Sequence, residues 1–245
     1  MADQLLRCTP HTHNGATTLA VEGLRQDRTW QAFGHISPEI RFHGRDTLNL
    51  DIFAPKLRWQ TVQKARGELL LRGSEDAVRL TTLVTVHSHD MLRVETRVSF
   101  RRPVRLELAR DVLQLASAPL PRIWTPLQTP LPEMLIGDFA FRTPVMSVPL
   151  DGACLALIPN TRVLASRRRV PAAMACDAAQ GVLSYGCVPY RLAHSTYCVH
   201  YDTDTADVSG VITYSYFLYY QNECRPADDV RRVAHRVWQL YAPAR

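Results

Sequence analysis

The chain has 245 residues, 29 lysines and arginines against 23 aspartates and glutamates, a formal charge of +6 and 46% hydrophobic residues. This is the balance of a globular protein with a full core, and it excludes a disordered chain, a collagen-like repeat and a disulfide-dense miniprotein. No run approaches the ~18 apolar residues of a membrane-spanning helix, and the start at Met1-Ala2-Asp3-Gln4 lacks a secretory hydrophobic stretch, so a cytoplasmic protein with no membrane partner is expected.

In chain order, the dominant period is two, the signature of half-buried strands. Residues 47–53 and 57–62 alternate around Ala54-Pro55-Lys56, and residues 67–73 add a strand bounded by glycines. Val78, Leu80, Thr82, Val84 and Val86 form one apolar series; Leu92, Val94, Thr96, Val98 and Phe100 form the next. The short polar link His87-Ser88-His89-Asp90 predicts an antiparallel hairpin between them. Val104, Leu106 and Leu108, after Pro103, read as a third strand of the same meander.

From Ala116 the character changes. Residues 118–132 contain five prolines and predict a stiff, extended connection. Strands resume at 134–136, 139–141, 145–148 and 153–158, with the turn signal Asp151-Gly152 between the last two. Further strands are expected at 181–187, 196–201 and 211–220. The last is apolar or aromatic on both faces and should lie between two layers. The end switches period: after Pro226 and the acids Asp228 and Asp229, Val230, Val233, Val237, Leu240 and Tyr241 recur at helical spacing. The reading is mainly β: a large antiparallel two-sheet sandwich over residues 1–225, followed by an amphipathic helix over 226–245.

Signals for chemistry are sparse. The arginines alternate with acids, as in Arg93-Val94-Glu95-Thr96-Arg97, rather than forming one stripe, so no nucleic-acid partner is expected. Arg167-Arg168-Arg169 reads as a solvated turn, with an anion contact on a loop as the alternative. Six cysteines, with no C-x-x-C spacing, read as buried reduced thiols, Cys154 among them as a small hydrophobe. His11-Thr12-His13 and His87-Ser88-His89 place imidazoles two apart, and Asp90 could complete a metal site. The second pair reads instead as a solvated hairpin turn, since a three-ligand site needs support that spacing alone does not show, so no metal or cofactor is expected. Glu133, Asp138, Glu39 and Asp46 are the candidate acids for paired-carboxylate chemistry; as single residues they read as surface or turn positions. The densest combination for sugar recognition is Arg122 and Trp124 on the proline-stiffened segment with Asp138 and Arg142 just after it. An indole accepts the C–H face of a sugar, while planar polar groups take its hydroxyls. The structural alternative is that Trp124 plugs the sandwich edge and Asp138 pairs with Arg142.

The alternating strands around Leu92–Leu115, the proline-rich Trp124 segment, the strand over 153–159 and the aromatic strand leading to a helix at Pro226 together resemble one known module. It is the N-terminal β-supersandwich domain, galactose-mutarotase-like, of glycosidases whose catalytic part is a six-hairpin α/α toroid. The resemblance covers roughly residues 40–245 by architecture. It implies a carbohydrate-associated domain, non-catalytic alone, that binds glycan or docks a helical glycosidase partner. The terminal helix then resembles the linker into the toroid, whose general acid and base have no counterpart here. Two other expectations stand beside it: a mutarotase-like sugar isomerase or hydrolase using His87 and His89, and an assembly protein that forms a homo-oligomer through Tyr214–Tyr220.

Overall fold

Alternation in sequence becomes alternation in burial. From Val78 to Val84 and from Leu92 to Phe100, every second side chain is buried and those between face outward. The structure, a computed structural model, describes residues 4–14, 16–44, 59, 61–65, 67–75, 78–120, 139–141, 146–160, 172–187, 190–192, 201–203 and 206–223. Its strands are β1 (Leu6–His13), β2 (Ala16–Leu24), β3 (Trp30–Gly44), β4 (Thr61–Ala65), β5 (Glu68–Glu75), β6 (Val78–Ser88), β7 (Met91–Leu115) and β8 (Phe139–Phe141). They continue with β9 (Met146–Leu150), β10 (Ala153–Pro159), β11 (Ala172–Asp177), β12 (Val182–Cys187), β13 (Tyr190–Leu192), β14 (Tyr201–Thr203) and β15 (Ala206–Gln221). Thirteen of them form one antiparallel sheet, and β13 and β14 pair separately.

The sheet has two wings that share β7. The first half of β7 is flanked by β6 and β15, giving the order β4-β5-β6-β7-β15-β10-β9; the second half is flanked by β3 and β12, giving β1-β2-β3-β7-β12-β11-β8. Fifteen residues of straight strand span about 50 Å, yet Thr96 Oγ1 lies 2.8 Å from Asp111 Oδ2 on the same strand. The strand therefore doubles over, and the exposed residues Arg101, Arg102 and Pro103 are where it does so. β15 breaks register at the same level, between Val208 and Gly210, where Gly210 takes a left-handed φ of +85° that a side chain would resist.

Folding over β7 brings the wings face to face around one large buried cluster. Rings meet across the gap: Phe42 and Phe100 at 5.8 Å, Phe33 and Tyr220 at 5.4 Å, Tyr185 and Tyr216 at 5.9 Å. Trp59, fully buried, bridges the backbone of Thr17 and donates its indole N–H to Thr82 at 3.0 Å. As expected for a strand apolar on both faces, every residue from Tyr214 to Tyr220 is buried, and so is all of β10.

Several expectations need correcting. The segments 91–100 and 104–108 are one strand, not two neighbours of a meander: Pro103 marks a bend, and the two halves serve different wings. No strand is expected from the alternation before residue 47 or at 172–177, yet β1, β2, β3 and β11 form there. The cysteines are not all thiols: Cys154 is disulfide-bonded, whereas Cys8, Cys176 and Cys187 keep their thiols. The hairpins at His87–Asp90 and Asp151-Gly152 form as predicted, the latter with φ of +40° and +80°. The expected strands at 47–53 and 134–136 and the helix over 226–245 lie outside the described residues. Among the described residues, no helix is long and apolar enough to cross a membrane.

Close strand contact makes one glycine diagnostic. A Cβ on Gly34 would run into the main-chain carbonyl of Gln114 on β7, where neither partner can swing aside. Gly34→Ala should lower the unfolding free energy by about 1–3 kcal/mol, read as a shifted urea midpoint with unchanged slope.

Candidate functional site

Several turns and chain ends meet at one end of the sandwich, and Tyr220 organises them. Its backbone N–H donates to Asp90 O (2.9 Å) in the β6–β7 turn. Its hydroxyl donates to Leu24 O (3.3 Å) at the end of β2, and its ring packs on Phe33. Gly23 clears the way for that ring, since a Cβ there would strike both Tyr220 and Phe33. Leu5 at the start of the chain joins the same end, donating to His89 O and accepting from Leu24 N–H. Burial pushes the Tyr220 phenol up to about 12, with Arg25 pulling the other way, so it is a neutral donor at physiological pH.

Between the β2–β3 turn, the β9–β10 turn and the end of β15 lies a cavity of about 270 Å³, lined by Arg25, Gln26, Asp27, Asp151, Tyr220 and Asn222 among others. Arg25 is the bridge: its Nη1 reaches Asp151 Oδ2 at 3.2 Å and also contacts Gln31 Oε1. Asp27 Oδ1 accepts from Thr29 N (2.9 Å) and Thr29 Oγ1 (2.6 Å), a local turn that lets Arg28 take φ of +63°. Those two bonds, with help from Arg25, hold the Asp27 carboxyl below its ordinary value. A guanidinium, two carboxylates and two carboxamides around a ring offer donors and acceptors in fixed planes, which suits a small polyhydroxylated ligand. A second cavity of about 240 Å³ opens between β1 and β4–β6 over the apolar side chains Leu69, Val84, Val86 and Leu92, with Arg7, Lys64 and Glu68 among its other lining residues.

The residues singled out in sequence fare differently. Arg122, Trp124, Asp138 and Arg142, like Glu133, Asp46 and Arg167–Arg169, lie outside the described residues. His87 packs edge-on against Phe217 at 5.1 Å. Asp90 is buried and accepts from Ser88 Oγ at 2.6 Å, while His89 Nδ1 stays 3.9 Å away. Among the described residues, no three His, Cys, Asp or Glu side chains gather as metal ligands. Glu39 is an ion-pair partner: burial works to raise it, but Arg110 (2.7 Å) and Arg41 outweigh that and keep it below the ordinary carboxylate range. The free thiols Cys8 and Cys187 are pushed up to about 12, chiefly by burial, so neither is a nucleophile at neutral pH.

The cavity residues escaped sequence reading because they are 25–27, 151–153 and 220–222, three pieces that only the topology joins. The one usable signal was the Asp151-Gly152 turn. No protein-family model matches the chain, and no curated protein matches it at a significant level.

Deeper inside, a chain of polar groups links the wings. Trp59 Nε1 donates to Thr82 Oγ1, which pairs with Thr96 Oγ1 at 2.9 Å, and Thr96 donates to Asp111 Oδ2. Since the Thr96 proton is spent on Asp111, Thr82 is the donor in the middle bond. Tyr214 and Tyr216 hydroxyls donate to the same carboxylate at 3.0 and 3.2 Å. Burial raises Asp111 to about 6, and the three donors restrain the rise. A carboxyl raised in the folded state stabilises fully below the unfolded value and loses that contribution as pH rises through the folded one. From 3.8 to about 6, the loss is about 3 kcal/mol. Chemical denaturation of wild type and Asp111→Asn at pH 4 and pH 7 should show the difference moving toward the variant by up to that amount at the higher pH. A pH-independent difference contradicts the assignment.

Proposed function

We propose that the chain is a carbohydrate-associated β-domain, non-catalytic on its own, with the two-sheet supersandwich architecture of the galactose-mutarotase-like type. The observation that carries this reading is the cavity beside Tyr220. Arg25, Asp27, Asp151 and Asn222 offer both donors and acceptors, as a sugar's hydroxyls require, and the volume suits one sugar ring rather than a chain. Two turns and the end of β15, all set on one double layer, supply those groups, an arrangement that holds them in place before a ligand arrives. The doubly covered aromatic strand and the antiparallel wings agree with the same architecture. The assignment of Arg122, Trp124, Asp138 and Arg142 to glycan contact remains part of this proposal as a second contact region.

Calorimetric titration with a panel of monosaccharides tests it. Wild type should bind at least one with a Kd of about 1 mM or tighter, and Asp151→Asn with Asn222→Ala should weaken it about tenfold. Both substitutions leave the turn and the core in place, since Asn accepts the positive φ of position 151. Failure of wild type to bind any member, or binding unchanged in the double variant, rules out the cavity as the sugar site. Loss of binding in Trp124→Ala alone moves the site to the second region.

A further inference from the structure

Strand pairing gathers Arg72, Arg79 and Arg97 on the outer face of the first wing. Register sets Arg72 of β5 opposite Thr81 of β6, and Thr81 opposite Arg97 of β7. The next outward row runs Ser74, Arg79 and Ser99, so Arg79 sits diagonally between the other two arginines. Diagonal neighbours of this kind lie about 8 Å apart, and residues two strands apart about 10 Å. All three arginines are exposed. Arg101, also exposed, follows Ser99 by two residues on β7 and continues the line from Arg72 through Arg79.

Arginines elsewhere on the strands have acids beside them: Arg7 bonds Glu22, Arg41 and Arg110 bond Glu39, and Arg93 bonds Glu95. Among the described residues, no acid pairs with Arg72, Arg79 or Arg97. Glu95, two residues before Arg97 on the same side of β7, is engaged by Arg93. Like charges this close on a sheet repel, so the patch is a concentrated positive surface that an anion stabilises. Alternation along each strand conceals it, because the three arginines come from three different strands.

The surroundings select the kind of anion. Hydroxyls of Ser74, Thr81, Ser99 and Thr213 stand between and beside the arginines, and the two rows contain no aromatic residue. Nucleic-acid bases would need rings to stack on, and a membrane-bound face would need large apolar side chains beside its cations. A sheet face is open rather than concave, which suits an extended polymer better than a small molecule. Guanidinium forks take oxyanions through two bonds at a time, and hydroxyls take the hydroxyls of a sugar.

We propose that this face binds an acidic polysaccharide, with its carboxylate or sulfate groups on Arg72, Arg79 and Arg97 and its hydroxyls on the serines and threonines around them. The surface shares no residue with the cavity beside Tyr220, and the inference does not rest on monosaccharide binding there.

Titration of the full chain with polygalacturonate and with dextran sulfate, against neutral dextran, tests it. Wild type should bind at least one acidic polymer and not dextran, with affinity falling as salt rises to physiological strength. The two acidic probes tell carboxylate from sulfate recognition. Arg72→Gln with Arg79→Gln and Arg97→Gln should weaken binding about tenfold or more. Arg79→Gln alone should weaken it measurably, whereas Lys64→Gln, which removes the same charge from β4, should not. Asp151→Asn with Asn222→Ala should bind the polymers as wild type does, which separates this surface from the cavity. Failure to bind either acidic polymer, equal binding of dextran, or binding unchanged in the triple variant overturns the proposal. Tighter binding of a single-stranded oligonucleotide or of phosphatidylserine vesicles than of either polymer also overturns it. Should the triple variant fail to fold, the comparison of Arg79→Gln with Lys64→Gln decides: equal binding by the two overturns the patch.

Discussion

The hydrogen bond from Thr96 to Asp111 joins two points of a single strand, and the rest of the architecture follows from the geometry that permits it. A strand that doubles over can be the centre of two layers at once. Each wing then grows outward from β7 by ordinary antiparallel pairing, and no long loop has to carry the chain between layers at their middle. The cost is a carboxylate in the interior, which burial disfavours in its charged form. Three hydroxyl donors, from Thr96, Tyr214 and Tyr216, offset that cost, and the relay through Thr82 to Trp59 leaves none of these hydroxyls or the indole N–H idle. Such a network tolerates one register only. A two-residue slip of β15 would leave the apolar pattern intact but carry both tyrosines away from the carboxylate.

The same topology builds the end site. Tyr220 lies where β15 leaves the core, and its main chain, hydroxyl and ring each hold a different neighbour: the β6–β7 turn, the end of β2 and Phe33. A residue used three ways is hard to displace, so the turns around it keep fixed positions despite their exposure. Asp151 contributes because its turn is a tight two-residue one, and Arg25 because Gln31 and Asp151 together aim its guanidinium. On the strand faces several arginines have acidic neighbours, Arg7 with Glu22, Arg93 with Glu95 and Arg110 with Glu39, so around these pairs the surface is not a field of one sign.

How much of this was legible in sequence depended on contrast between faces. β6 and the first half of β7 alternate cleanly because one side meets the core and the other water. β15 announced its double cover because aromatic residues filled both sides. β1 and β3 gave little contrast: Pro10, the three histidines His11, His13 and His35, and the short apolar steps from Phe33 to Ile36 and Ile40 break the period, and a register irregularity at Arg41/Phe42 shifts it again. β11 is built from alanine, methionine and cysteine, which favour no period. Pro103 read as a boundary because proline usually ends a ladder, whereas here it lies at the bend of a strand that continues. The cavity and the bonding of Cys154 are contacts between distant segments, and one-dimensional spacing holds no record of them.

Among the described residues the two wings end in four strands, β1, β4, β8 and β9, and a terminal strand is where another extended chain could add itself. Three of them interrupt the invitation in their own composition. Pro10 in β1 and Pro149 in β9 each delete a donor at mid-strand, and Lys64 places a strongly hydrated charge on the five residues of β4. A chain so rich in β-structure passes through folding with many pairing choices still unmade. Borders interrupted in this way keep more of those choices internal and disfavour growth into a filament.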